Sequence, residues 1–194
     1  MKRVLLLLCC GPLAACVTTQ PATPPPKGLH MAFTLTGGEA NSPGAPDTEF
    51  DNPWALGMQL TVEQDDWPVG AEVGLQLGSA NGSTDTEYRD LDLSDVTFGV
   101  TKQWEVIPHI TLVTGGGIRI AHAILLGPGW IFDSELDDDY SVGFYAHAGL
   151  WWMFHENIGA GVDARFADGS DFRLEGEPVD AQSSQLLLGL RWAF

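Results

Sequence analysis

Residues 186–194 read LLLGLRWAF, and the strict alternation in this stretch limits the possible folds more than any other feature of the chain. Leu186, Leu188, Leu190, Trp192 and Phe194 share one face of an extended strand, and Leu187, Gly189, Arg191 and Ala193 share the other. A helix would scatter both sets around its axis, whereas a strand of period two separates them. The same division recurs upstream. Trp54, Leu56, Met58, Leu60 and Val62 alternate with Ala55, Gly57, Gln59, Thr61 and Glu63. Val69, Ala71, Val73, Leu75 and Leu77 alternate with Gly70, Glu72, Gly74, Gln76 and Gly78. Comparable runs cover 29–36, 96–104, 110–120, 140–154 and 158–166, and Lys102 interrupts the apolar face of one of them, where a lysine is expected to snorkel towards an interface.

Short turn-forming stretches at Gln64–Pro68, Glu105–Pro108 and His155–Asn157 alternate with four long connections. Strands joined in this way form an antiparallel meander, because neighbours in sequence need only a turn between them. The expectation is therefore an all-β fold: an eight-stranded antiparallel up-and-down transmembrane β-barrel over residues 29–194. An even strand count returns both chain ends to the side of the short turns. A soluble lipocalin-like barrel alternates as well, but would turn its apolar set inwards around a ligand cavity. Here the other set is Gly, Ala, Thr and Gln with scattered charges, which suits a narrow packed lumen better than a water-facing surface. The apolar set then faces lipid. Trp104, Trp152, Phe154, Trp192 and Phe194, with Trp67, gather near the short-turn ends, and Trp54, Tyr140 and Phe166 near the others, as two interfacial bands.

The formal charge of −17 is confined to the long connections. Segments 37–53, 79–95, 122–139 and 168–182 hold nineteen acids against Arg89 and Arg173, and the remainder is neutral. Nucleic acid is not an expected partner of so acidic a chain. The N-terminus has a different character. Lys2 and Arg3, the apolar run Val4–Leu8 and the sequence Leu13-Ala14-Ala15-Cys16 are the parts of a secretory signal peptide over residues 1–15. The run is too short to cross a bilayer as a helix. Residues 16–28, rich in Pro and Thr, form an extended tether. Cys9 and Cys10 leave with the leader, so the mature chain keeps Cys16 alone and forms no internal disulfide.

The inward-facing ionisable residues are Glu63, Glu72, Arg119, His147, Asp163, Arg165 and Arg191. Buried charges need partners, so Glu72, Arg119, Asp163, Arg165 and Arg191 are expected to form a lumenal ion network, with Glu72 and Arg191 paired. His147 offers a general base, but the nearest serine on its strand, Ser141, is about 20 Å away at strand rise, and no catalytic set is assigned. Asp137-Asp138-Asp139 and the segment from Asp168 to Asp171 offer oxygens for weak binding of divalent cations, without a complete calcium loop. Gly115–Gly117 lies inside a strand run and opens no helix, so it is not a phosphate cradle. No cofactor or structural metal is expected.

Leu188, Leu190, Trp192 and Phe194 resemble the C-terminal assembly signal of bacterial outer-membrane barrels. The residues before Cys16 resemble a lipoprotein lipobox, which implies lipidation of Cys16; Val17 stands where inner-membrane retention uses aspartate. With ENIGAGVDARF and LGLRWAF as its last two strands, the chain is similar to small OmpA-type or opacity-protein-like barrels. That resemblance implies an outer-membrane monomer with periplasmic N-terminus and short turns and extracellular long loops. Its partners would be outer-membrane lipid and lipopolysaccharide and the insertion machinery. It also implies a non-enzymatic structural or interaction role in the envelope. The alternatives are a lipid A-modifying enzyme, a narrow ion channel and the soluble ligand-binding barrel.

Overall fold

The computed structural model of the chain describes residues 28–41, 50–83, 88–127 and 134–194. Its strands are β1 (Leu29–Asn41), β2 (Phe50–Gln64), β3 (Gly70–Ser83), β4 (Tyr88–Ile107), β5 (Ile110–Gly127), β6 (Ser134–His155), β7 (Ile158–Gly169), β8 (Phe172–Leu174), β9 (Glu177–Val179) and β10 (Ser183–Ala193). Eight of them close into a barrel in the order β1-β10-β7-β6-β5-β4-β3-β2, all antiparallel, with the first and last strands paired from Ala32↔Ala193 to Asn41↔Ser184. The expected fold is therefore present. The leader, Cys16 and nearly all of the tether lie outside the described residues.

Side-chain direction follows the sequence pattern. Leu56, Leu75, Phe98, Phe144, Val162 and Leu188 face outwards, Phe144 73% and Leu188 66% exposed, while Gln59, Glu72, Thr97, Arg119, His147 and Asp163 are buried inside. An exterior of large apolar side chains around a polar interior is the reverse of a water-soluble protein, and it is stable only where the outer surface meets lipid. The soluble ligand-binding alternative is excluded by this inversion. Tyr140 and Trp152 mark the two aromatic bands on β6, both strongly exposed. Twelve residues at strand rise span about 40 Å, or about 28 Å across a bilayer at a tilt of about 45°.

The strands run further than alternation alone indicated. β6 has 22 residues, β4 20 and β5 18, against 11 in β10 and 12 in β7, whereas about 9–11 tilted residues cross a bilayer. Most of the acid-rich segments expected as loops are thus strand, and β4–β6 stand as a wall above one rim. Alternation fades there because the outer face meets water and the inner face meets protein, so neither must be uniformly apolar.

The last connection is also structured. β8 and β9 form a separate hairpin, turned by Glu175 (φ 52°) and Gly176 (φ 85°). Two consecutive positive φ values define the two-residue turn that matches strand twist, and glycine adopts one of them without strain. Phe172, Leu174, Val179 and Ala181 bury themselves against Leu91 of β4 and Ala121, Ala123 and Leu125 of β5. The barrel thereby has a small apolar core at one mouth, built as in a soluble protein.

Candidate functional site: a filled lumen and a capped mouth

The lumen is narrow because inward glycines bring side chains from opposite walls together. Trp151 of β6, 1% exposed, lies across it. A Cβ on Gly149 would come 2.6 Å from Trp151 Nε1, so this glycine leaves space the indole fills, and the ring reaches on over Gly161 and Gly189, where a Cβ would meet Cε3 at 2.9 Å and Cη2 at 3.0 Å besides backbone carbonyls. Charge and turn patterns do not single out Trp151. Its inward parity with Tyr145, His147 and Gly149 was the available signal, masked by apolar neighbours on both sides.

Polar contacts fill the remainder at three heights. At the middle, His147 Nδ1 meets Asp163 Oδ2 at 2.9 Å and Nε2 meets Glu72 Oε2 at 3.1 Å. The Tyr145 hydroxyl donates to Glu72 Oε1 at 2.5 Å, and Gln59 Nε2 donates to Glu72 Oε2 at 2.7 Å. Arg165 donates through Nη2 to Gln59 Oε1 (3.1 Å) and through Nη1 to Gln76 Oε1 (3.2 Å), and Gln76 donates to Gln185 across the lumen. The Arg165 guanidinium also lies 5.9 Å from the centre of the Tyr145 ring, and its Nε is 4.0 Å from Asp163 Oδ1. This layer joins β2, β3, β6, β7 and β10.

Towards the hairpin, Arg119 grips Asp95 in a two-pronged pair, Nε and Nη2 each 3.0 Å from a carboxylate oxygen, and Nη1 donates to the Ala181 carbonyl at 2.7 Å. Asp95, expected in an acidic loop, is instead lumenal, since the wall continues past it. Towards the short turns, Arg191 donates to Thr34 Oγ1 (3.1 Å) and Gln103 Oε1 (2.8 Å). Lys102 reaches Glu63. β3 begins at Gly70, opposite Thr101, so Lys102 has β5 on one side and no strand on the other, and it bends around that open side to an acid on β2 instead of snorkelling to an interface.

The five residues expected in the network, Glu72, Arg119, Asp163, Arg165 and Arg191, are all buried in the lumen. The expected Glu72–Arg191 pairing is corrected: Glu72 is bound by Tyr145, Gln59 and His147, and Arg191 by Thr34 and Gln103. Counting residues from the rim ignores strand tilt, which sets equal counts at unequal heights, and it ignores neutral donors reaching across the interior. Gln59, Gln76, Gln185 and Tyr145 are the partners that charge-based reasoning left out.

The two ends of the lumen differ. Beneath the hairpin a cavity of about 20 Å³ lies between Gln76, Asp95, Arg119 and Gln185. At the short-turn end an open bowl of about 590 Å³ lies between Glu63, Lys102, Glu105 and Glu156. Chemically, both His147 nitrogens face carboxylates, and among the described residues no serine hydrogen-bonds to them. Ser141 donates to the Ser170 carbonyl at the far rim. Among the described residues, no cluster of three or more His, Cys, Asp or Glu side chains could hold a metal.

The acidic segment on β6 accepts backbone N–H groups from its own strand and from the hairpin. Asp137 accepts the Asp138 N–H through Oδ1 and the Glu175 N–H through Oδ2, at 3.0 and 2.5 Å. Asp139 likewise accepts from Tyr140 and Arg173, at 2.8 and 2.6 Å. Donation by Arg173, then by Tyr140, holds the Asp139 carboxyl below its ordinary value of 3.8. Asp138 points the other way and meets His122 at 3.1 Å, whose ring stacks on Tyr140.

No protein-family profile and no curated protein matches this chain. Solved structures with the same fold include Neisserial surface protein A, at TM-score 0.58 and 12% identity over 86% of this chain and 97% of that one. The outer membrane protein OprG from Pseudomonas aeruginosa gives TM-score 0.57 and 14% identity, covering 86% and 96%. The attachment invasion locus protein Ail of Yersinia pestis, in complex with the heparin analogue sucrose octasulfate, gives 0.53 and 13%, covering 86% and 99%. At these identities the likeness is one of fold.

Proposed function

We propose that this chain is a non-enzymatic bacterial outer-membrane barrel that presents an acidic, hairpin-capped interaction surface outside the cell. The observation that carries this reading is the combination of an apolar exterior with a mid-lumen layer whose side chains bind one another. A continuous ion path has no room in such a layer, and an imidazole held by two carboxylates is not available to a lipid substrate. In the proposed orientation the short turns and the open bowl face the periplasm, with a lipid on Cys16 anchored nearby. Leu188, Leu190, Trp192 and Phe194, on the exterior of the closing strand, are the residues offered to the insertion machinery.

The outer surface selects its partners by charge. Asp138, Asp168, Asp171, Glu175 and Asp180 are exposed there, with Arg173 as their basic neighbour. A sulfated polyanion such as the one bound to Ail would be repelled, so the surface suits a basic partner, or lipopolysaccharide phosphates bridged by divalent cations.

The reading is tested in intact cells of a Gram-negative host with an epitope inserted at Glu175-Gly176 or at Glu156-Asn157. Antibody should reach the first and not the second, and the reverse result overturns the orientation. Purified protein should leave planar-bilayer conductance unchanged. Altered lipid A masses in expressing cells would replace this reading with the enzymatic one.

A further inference from the structure

We propose that the β8–β9 hairpin is an acid-released lid, held over the barrel mouth by the carboxylates of Asp137 and Asp139. The hairpin shares no backbone ladder with the barrel. Besides the Arg119 hydrogen bond to the Ala181 carbonyl where the chain returns to the barrel, two elements hold it: the apolar core against β4 and β5, and a side-chain ladder along the upper edge of β6. Pairing between β6 and β7 ends at Gly143↔Gly169, so β6 continues upward without a strand on that side. Its edge N–H groups at Asp138, Tyr140 and Val142 go to oxygens of Asp137, Asp139 and Ser170. Asp137 and Asp139 are two residues apart, and so are their donors Glu175 and Arg173, in antiparallel order. Each carboxylate therefore stands between β6 and the hairpin, with one oxygen for each.

This arrangement makes the latch depend on ionisation. A carboxylate has two accepting oxygens and serves two N–H groups, one from each strand. Adding a proton turns one oxygen into a donor, which then faces an N–H and leaves it without a partner. The charged groups around the latch are Asp138 with His122 of β5, Arg173 and Glu175 of the hairpin, and Arg119 with Asp95 beneath. Of these, Arg173 favours the ionised form of Asp139. The folded-state value of Asp139 is depressed, so its contribution is complete above the ordinary 3.8 and disappears as pH falls through the lower folded value. Acid thus weakens the ladder, while the continuous backbone pairing of the barrel wall beneath does not depend on ionisation.

The test is amide hydrogen exchange of the full chain in phospholipid nanodiscs, corrected for the intrinsic pH dependence of exchange. Wild-type protection over residues 172–181 should fall between pH 6 and pH 2.5, with barrel strands unchanged. The variant D137N/D139N replaces one accepting oxygen of each latch by a donor amide, and it should show low hairpin protection at both pH values. The proposal is overturned if the variant matches wild type at pH 6, if wild-type protection does not respond to acid, or if hairpin and barrel lose protection together.

Discussion

At the residue scale, the lumen shows how few large groups are needed to fill an eight-stranded barrel when the positions opposite them are glycine. Trp151 and its facing glycines form one steric unit. Gly149→Val, whose Cβ would come 2.6 Å from Trp151 Nε1, should destabilise the barrel by about 1–3 kcal/mol in equilibrium urea unfolding from lipid vesicles. Trp151→Ala should cost about 3–5 kcal/mol, and combining the two should cost less than their sum, because the valine then occupies vacated space. Arg119 illustrates the electrostatic counterpart. Its removal leaves Asp95 and the Ala181 carbonyl without their donor, so Arg119→Ala should cost about 3–5 kcal/mol, and D95A/R119A should recover part of the loss. An R119A variant as stable as wild type would show that water reaches Asp95 easily.

At the element scale, the hairpin is an addition to a barrel that closes without it. β7 and β10 pair from Ala167↔Ser183 downward, below the point where the hairpin leaves. Replacing residues 171–181 by a flexible Gly/Ser linker should therefore leave barrel strand content intact and shift unfolding only slightly, as read by circular dichroism in nanodiscs. A variant that fails to form the barrel would mean that the small apolar core at the mouth is required for closure. Length matters in a similar way for the wall: β4, β5 and β6 extend beyond what a bilayer needs, and the upper inner faces of β4 and β5 supply Leu91, Ala123 and Leu125 for the hairpin to cover.

At the scale of the whole molecule, polarity is inverted, and the inversion predicts how substitutions behave on each face. Leu188 is 66% exposed near the middle of the closing strand. A basic group there would sit in hydrocarbon, so Leu188→Arg should cost about 2–4 kcal/mol in lipid. In a water-soluble barrel the same change at so exposed a site would be close to neutral, so a neutral result contradicts the membrane-spanning reading.

The sequence by itself determined the strand period, which face is large, the number of barrel strands and the return of both ends to the side of the short turns. Each is a local consequence of period-two alternation and turn chemistry, as Leu186–Phe194 and Trp54–Glu63 show. Tertiary structure alone decided which residues meet across the lumen. Glu72 binds Tyr145, His147 and Gln59 because tilt and closure bring β2, β3 and β6 together at one height, and no spacing along the chain encodes that height. It also decided the fate of the acidic segments. Asp137 and Asp139 look like solvated loop residues until the hairpin turns its backbone N–H groups towards them, and a carboxylate is redefined by whichever donors the fold delivers.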